Sequence, residues 1–358
     1  MSLMRNADAS GVEPGRVSIK SLGPDALAAA LRDLGEPAYR TAQVRRWLYR
    51  EGAVTFDEMT DLPASLRARL ANRFDLTIPQ LVERQTSRKD GTRKYLWRLA
   101  DGVAVESVGI PGASRLTVCF SSQAGCAMGC AFCATGRGGF VRDLTPGEMV
   151  DQVRLVGSDF GERVTNAVAM GQGEPFAAYD STIAALRFMN APDGLGIGAR
   201  HLTISTCGMV RGIQRLAAEP EQFTLAVSLH SAVQSTRDRI MPGVRTQPLA
   251  VLREALVAYT RDTGRRVTFE FALIAGVNDT PAEREALVAF CSGMLCHVNL
   301  IPVNPVVSAA SDRPAEETVR AFKHALASAG IEASVRVERG ADIDAACGQL
   351  TQRRSGGA

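Results

Sequence analysis

The chain has 358 residues, of which 46% are hydrophobic and 33 are glycine, with a formal net charge of +3 at pH 7. Such a length and composition fit one large globular α/β domain with a smaller companion, and exclude a disordered or fibrous protein. No apolar run is long enough for a membrane span, the N-terminus lacks the pattern of a signal peptide, and eight cysteines in a chain this long do not form a disulfide framework. A reducing, cytoplasmic home and no membrane partner are therefore expected, and the small net charge leaves any partner to local patches.

Residues 1–20 are polar with Gly and Pro and are expected to form a disordered tail. Residues 21–85 read as a small helical domain. Leu27, Leu31 and Leu34 share one face of a helix from Pro24, and a second helix over Thr41–Tyr49 carries Val44, Trp47 and Leu48. Arg40, Arg45, Arg46 and Arg50 lie on or near its other face, where they suit either phosphate contacts or solvent. The next stretch places Arg84, Arg88, Lys89, Arg93, Lys94 and Arg98 within fifteen residues, interleaved with Tyr95 and Trp97. Asp90-Gly91 signals a hairpin turn, and 86–112 reads as a connecting β-hairpin. Arginines alternating with aromatics suit RNA; an ordinary amphipathic hairpin is the other reading.

From 113 to 350 the pattern alternates strand, loop and helix. The strands are expected at Leu116–Ser121, Thr165–Met170, His201–Ser205, Thr224–Leu229, Val267–Ile274, Val298–Pro302 and Ala333–Val337. The helices between them include Pro146–Val156, Ser181–Met189, Leu249–Thr260, Ala282–Phe290 and Glu316–Ala329. This is the signature of parallel βαβ units, short of the eight needed for a closed barrel. The fold class expected is α/β: a partial (β/α)6 barrel of the TIM type, preceded by the helical domain and hairpin and followed by a tail at 351–358. Polar motifs fall at the strand C-termini, the catalytic rim of such barrels. These are the cysteine loop, Gly171-Gln-Gly-Glu-Pro175, Ser205-Thr206, Ser228-Leu-His230 and Asn304-Pro305. Cys347 follows the last strand in a Gly-bounded segment.

The cysteine loop, Cys126-Ala-Met-Gly-Cys130-Ala-Phe-Cys133, sets three soft thiolate ligands at C-x3-C-x2-C spacing. Three ligands in one short loop leave a fourth corner to fill. Either another side chain supplies it, as in a zinc knuckle completed by Cys119, or one iron of a [4Fe–4S] cluster stays open to chelate S-adenosylmethionine (SAM). The spacing resembles the radical SAM motif.

Taken with Cys119-Phe-Ser-Ser-Gln-Ala-Gly, Gly173-Glu-Pro, Ser228-Leu-His230, Asn299-Leu-Ile-Pro-Val-Asn-Pro305 and Asp344-Ala-Ala-Cys347-Gly-Gln-Leu350, the loop resembles the RlmN-type radical SAM RNA methyltransferases from about Pro37 to Leu350. The resemblance implies methylation of adenine carbon 2 in 23S ribosomal RNA, at the peptidyl transferase centre, and in the tRNA adenosine 3′ to the anticodon. It implies Cys126, Cys130 and Cys133 as ligands of one [4Fe–4S] cluster. Gly173, Glu174, Ser205, Ser228, Leu229, His230 and Asn304 become the contacts of SAM, of which two are used per turnover. Cys347 becomes the methyl carrier, Cys119 the thiol that resolves it through a transient disulfide, and Glu106 the proton acceptor. An electron donor such as a flavodoxin or ferredoxin and a monomeric state are also implied. Read without the resemblance, Glu106 is the wet face of a strand and Cys347 a buried small residue. The chain departs from the family at Gln172, where Met is common, and at Cys207, which reads as structural together with Cys291 and Cys296. The rival functions are carbon-8 methylation of the same ribosomal adenosine, as in a related antibiotic-resistance enzyme, and a non-enzymatic zinc-dependent RNA-binding protein.

Overall fold

The computed structural model describes residues 16–303, 313–337, 339–343 and 345. Asn304, Asp344 and Cys347, the greater part of the expected N-terminal tail and the tail at 351–358 lie outside the described residues.

Among these residues a ten-stranded sheet organises the molecule. Parallel strands run in sequence order from Leu116–Cys119 through Asn166–Ala169, Leu202–Thr206, Thr224–Ser228, Val267–Leu273 and Cys296–Pro302 to Glu332–Val335. Helices cross between successive strands, the first at Pro146–Phe160 and the last at Glu316–Ser328. The order does not return on itself, so this is the partial (β/α)6 barrel expected, with a seventh strand closing the last crossover. Val118, Ala167, Ile204, Val227, Phe269 and Val298 are each fully buried, which is the apolar core of a parallel sheet covered by helices. The first crossover helix starts on a reciprocal capping box between Thr145 and Glu148 and stops at Gly161 in the left-handed region.

The open edge of the first parallel strand is filled by a three-stranded antiparallel extension, Gln80–Thr86, Arg93–Arg98 and Ala104–Pro111. The expected hairpin is present, with one more strand than expected, and helix gives way to strand already at Gln80. Tyr95 and Trp97 do not face solvent. They are 0% and 3% exposed and stack on each other with centroids 5.3 Å apart. Asp159 gathers the surrounding polar groups, accepting from Arg84 at 2.6 Å, Arg93 at 2.8 Å and the Tyr95 hydroxyl at 2.7 Å. The aromatics are core, and two of the arginines hold the extension to the crossover helix. The base-stacking reading of this stretch is thereby overturned.

The N-terminal unit is built from helices Pro24–Asp33, Tyr39–Arg45 and Ala64–Arg73, with a π-helical turn at Arg46–Glu51. The tail ends earlier than the sequence suggests. Val17–Ser18 pairs with Phe74–Asp75, Ile19 is fully buried, and Lys20 is buried against Asp151 at 2.7 Å. Of the basic helix, Arg45 pairs with Asp193 at 3.0 Å and Arg46 with Asp61, so those charges are used within the protein.

Candidate active site

The cysteine loop leaves the first parallel strand through the short strand Gln123–Gly125, which pairs with Phe140–Asp143 on the loop's far side. The loop is fixed from below by the turn after helix Gln234–Ile240: Ala131 N donates to Ile240 O and Gly243 N to Met128 O, each at 2.9 Å. Cys126 is buried, and Cys130 and Cys133 are half-buried. Burial pushes the Cys126 thiol up to about 11, and raises Cys130 as well, with the neighbouring Cys133 and Cys126 charges adding to it. The three thiols thus share one electrostatic site in which thiolates need a cation. No three His, Cys, Asp or Glu among the described residues are gathered closely enough to hold a single ion. A cubane cluster asks for something else, since each thiolate takes a different iron, and the donor set here suits it. Cys119, the fourth ligand that the zinc-knuckle alternative would need, packs against the small cluster of Val108 and Ala345.

The loop Gly171–Pro175 follows the second parallel strand and lies against the first. Gly173 has φ +103, and a Cβ there would fall 2.6 Å from Gln123 Cβ, so only glycine lets the two segments touch. Glu174 is buried, and burial raises its carboxyl. Its oxygens accept from Cys207 N at 2.7 Å and Phe176 N at 3.0 Å, tying the loop to the end of the third strand, where Ser205 is half-buried.

His230 adopts φ +56, a conformation non-glycine residues rarely take. Its Nδ1 accepts from Ala272 N at 2.9 Å, and its carbonyl accepts from Asn278 Nδ2 at 2.6 Å. Burial, followed by the charge of Arg237, lowers the ring to about 3, so the imidazole is neutral with its proton on Nε2. Phe132 of the cysteine loop packs edge-on against the ring, centroids 4.5 Å apart, which brings the Ser228-Leu-His230 motif to the thiols. Leu229 is fully buried, with its N–H spent on Glu270 O at 3.0 Å. Ser228 is in register with Glu270, Asn299 and Ser334. Asn299 donates to Glu270 at 2.8 Å, and Arg336 lies 3.6 Å from the same carboxylate. Sequence reading missed Glu270 and Asn278. Both are polar residues in otherwise apolar or turn-like stretches; strand register brings Glu270 to Ser228, and hydrogen bonds to His230 O and Ala272 O bring Asn278 to the histidine.

Glu106 is not the wet face of a strand but 5% exposed, 4.0 Å from Lys94. Ser121 Oγ donates to Glu106 O at 2.6 Å and accepts from Gln172 N at 2.9 Å, linking the antiparallel extension to the glycine loop. Cys119 pairs with Val108 on one side and Val168 on the other, and, like Ile110 and Ile343, packs against the small buried cluster of Val108 and Ala345. Ala345 is two residues from Cys347. Cys207, Cys291 and Cys296 are buried, as a structural role requires.

Two family models match this chain, the ribosomal RNA large subunit methyltransferase N-terminal domain over residues 17–76 and the radical SAM superfamily over 120–290. A probable dual-specificity RNA methyltransferase RlmN from Pelotomaculum thermopropionicum is 46% identical over 97% of this chain and 94% of its own length. The corresponding protein of Symbiobacterium thermophilum is 46% identical over 95% and 93%. The chain belongs to the RlmN family of radical SAM RNA methyltransferases. The crystal structure of a radical SAM methyltransferase from Sphaerobacter thermophilus agrees in fold, with a TM-score of 0.87 at 45% identity over 93% of this chain and 98% of that one. RlmN membership makes this an enzyme that works with SAM and a [4Fe–4S] cluster on RNA, and the thiol loop described above has the donors for that cluster.

Proposed function

We propose that the enzyme methylates carbon 2 of an adenosine in 23S ribosomal RNA and in tRNA, drawing electrons from a flavodoxin or ferredoxin. Cys126, Cys130 and Cys133 hold one [4Fe–4S] cluster, and Gly173, Glu174, Ser205, Ser228, Leu229, His230 and Asn304 surround SAM. Bound there, the cluster supplies the electron that splits SAM and so generates the radical that activates a methyl group. Adenine carbon 2 is too electron-poor to attack a sulfonium, so the methyl group first goes to Cys347, whose thiolate displaces it from one SAM. Once that carbon is joined to the ring, the adduct gives up one electron and Glu106 accepts the ring proton, which restores the aromatic ring. Cys119 then attacks the Cys347 sulfur: a sulfur–sulfur bond forms, the sulfur–carbon bond breaks with its electron pair passing to the methylene carbon, that carbon takes up a proton to become the methyl group, and a disulfide remains for external reduction.

The observation that supports this reading is that Cys119 packs against the small cluster of Val108 and Ala345, and Ala345 is two residues before Cys347 in the sequence. Generic SAM cleavage needs neither thiol. In the Cys119→Ala protein, addition to the adenine proceeds and release does not. Incubation with RNA, SAM and a reductant should therefore leave a protein–RNA adduct on a denaturing gel, sensitive to nuclease and mapping to the Cys347 peptide. Normal turnover by this variant refutes the two-thiol scheme. Mass spectrometry of RNA from cells with and without the gene reads the methylated carbon and the RNA classes.

A further inference from the structure

The turn between the first two antiparallel strands is closed by its own side chains. Ser87 N donates to Thr92 O at 2.8 Å, Ser87 Oγ accepts from Lys89 N at 3.1 Å, and Asp90 Oδ1 accepts from Thr92 N at 3.0 Å. A turn stiffened in this way is a fixed point. Its remaining groups reach about 250 residues along the chain. Ser87 Oγ donates to Asp342 Oδ1 at 2.7 Å, Arg88 N donates to Asp342 Oδ2 at 3.0 Å, and Gly340 N donates to Asp90 Oδ2 at 3.0 Å. The clasp is reciprocal, since each partner contributes one carboxylate and accepts from the other's backbone. It is also tight, because a Cβ on Gly340 would come within 2.9 Å of the Thr92 side chain. From this point the segment folds back, with Ile343 N and Ala345 N both donating to Gly340 O, and Ala345 packs on Val108 beside Cys119.

The clasp stands on the antiparallel extension, which carries neither the cluster loop nor the glycine loop. Its carboxylates are therefore separable from SAM cleavage. What they fix is the stretch Gly340–Ala345, immediately before Cys347. A thiol that must meet a SAM methyl group, an adenine carbon and a second thiol in turn needs that stretch held to a fraction of an ångström. We propose that Asp342 and Asp90 are positioning residues that, through the Ser87–Thr92 turn, fix the stretch of chain leading to Cys347. This rests on the reading of Cys347 as methyl carrier.

The test compares Asp342→Ala, Asp90→Ala and the milder Ser87→Ala with the parent, all as full-length protein with cluster. Three quantities are measured: SAM cleavage, Cys347 methylation by peptide mass spectrometry, and the rate at which iodoacetamide alkylates Cys347 in the reduced protein. Asp342→Ala and Asp90→Ala should leave SAM cleavage near the parent level and lower Cys347 methylation roughly 10- to 100-fold. Alkylation of Cys347 should quicken in both. Ser87→Ala should fall between, and Asp342→Asn, which keeps one acceptor for Ser87, should recover part of the loss. Parent-like methylation and alkylation in the two Asp variants overturn the proposal. So does a parallel loss of cleavage and methylation in all three variants, which would make the clasp a general stability element. A Cys347→Ala protein that still methylates RNA would refute the methyl-carrier reading instead, and the alkylation rates would then decide on the clasp alone.

Discussion

At the scale of single residues, Gln172 is the least settled group near the site. It is 1% exposed, and among the described residues neither its Oε1 nor its Nε2 has a hydrogen-bond partner, although its backbone is well held by Ser121, Ser122 and Gln123. A buried amide without partners costs about 1–3 kcal/mol, and methionine fills nearly the same space with nothing to satisfy. Gln172→Met should therefore stabilise the ligand-free protein by about 1–3 kcal/mol in anaerobic urea unfolding. A destabilised variant would mean that solvent or a ligand satisfies the amide. His230 shows the opposite economy. Nδ1, the carbonyl and the ring face all have partners, and a strained backbone is held in place by Asn278. The sequence marked His230 by its motif, but nothing in it marked Asn278, because a turn asparagine looks the same whether it faces water or two carbonyls.

At the scale of elements, the barrel strands were legible because continuous apolar runs alternating with amphipathic helices fit little besides parallel βαβ units. The antiparallel extension was only half legible. Tyr95 and Trp97 read equally as exposed stacking platforms or as core; the Tyr95 hydroxyl finds Asp159, more than sixty residues away in the chain, and the Trp97 indole finds Ser107 on the next strand. The same holds for the turn after helix Gln234–Ile240, which no motif announces as the floor of the cysteine loop. Gly243 lies so close that a Cβ would fall 2.6 Å from Met128 Cα, and neither backbone can yield alone. Overpacking of this kind costs about 1–3 kcal/mol, and here the strain goes into the loop that carries the thiols. Gly243→Ala should fold with a parent-like circular dichroism spectrum, yet hold less iron after anaerobic reconstitution and cleave SAM in proportion to the iron retained. Full iron occupancy with parent-like cleavage would show that the floor is not needed.

At the scale of the whole molecule, the question is whether the N-terminal unit rides freely on the barrel. The sequence suggested a separate accessory domain behind a disordered tail, and composition alone supports no other division. The packing joins the two parts. Tyr49 lies 4.5 Å from Phe188 of a barrel helix, Arg45 sits over the same ring, and Lys20 reaches Asp151 in the first crossover helix with both side chains buried. Arg154 lies 3.1 Å from the same carboxylate, so Asp151 is shared between a tail residue and its own helix. Burial lowers Lys20 to about 8, with the Asp151 charge opposing it, which leaves the amine mostly protonated near neutral pH. Removing one partner of a buried pair strands the other charge and costs about 3–5 kcal/mol. Lys20→Met should therefore lower the stability of the barrel itself by about that amount, offset in part because Arg154 remains beside Asp151. If the two parts form one cooperative unit, thermal unfolding of the variant keeps a single transition, shifted downward, when followed both by tryptophan fluorescence, to which Trp47 of the N-terminal unit and Trp97 of the sheet extension both contribute, and by the visible absorbance of the cluster. Two separated transitions, with the cluster signal unmoved, would instead make the N-terminal unit an independent domain that merely rests on the barrel.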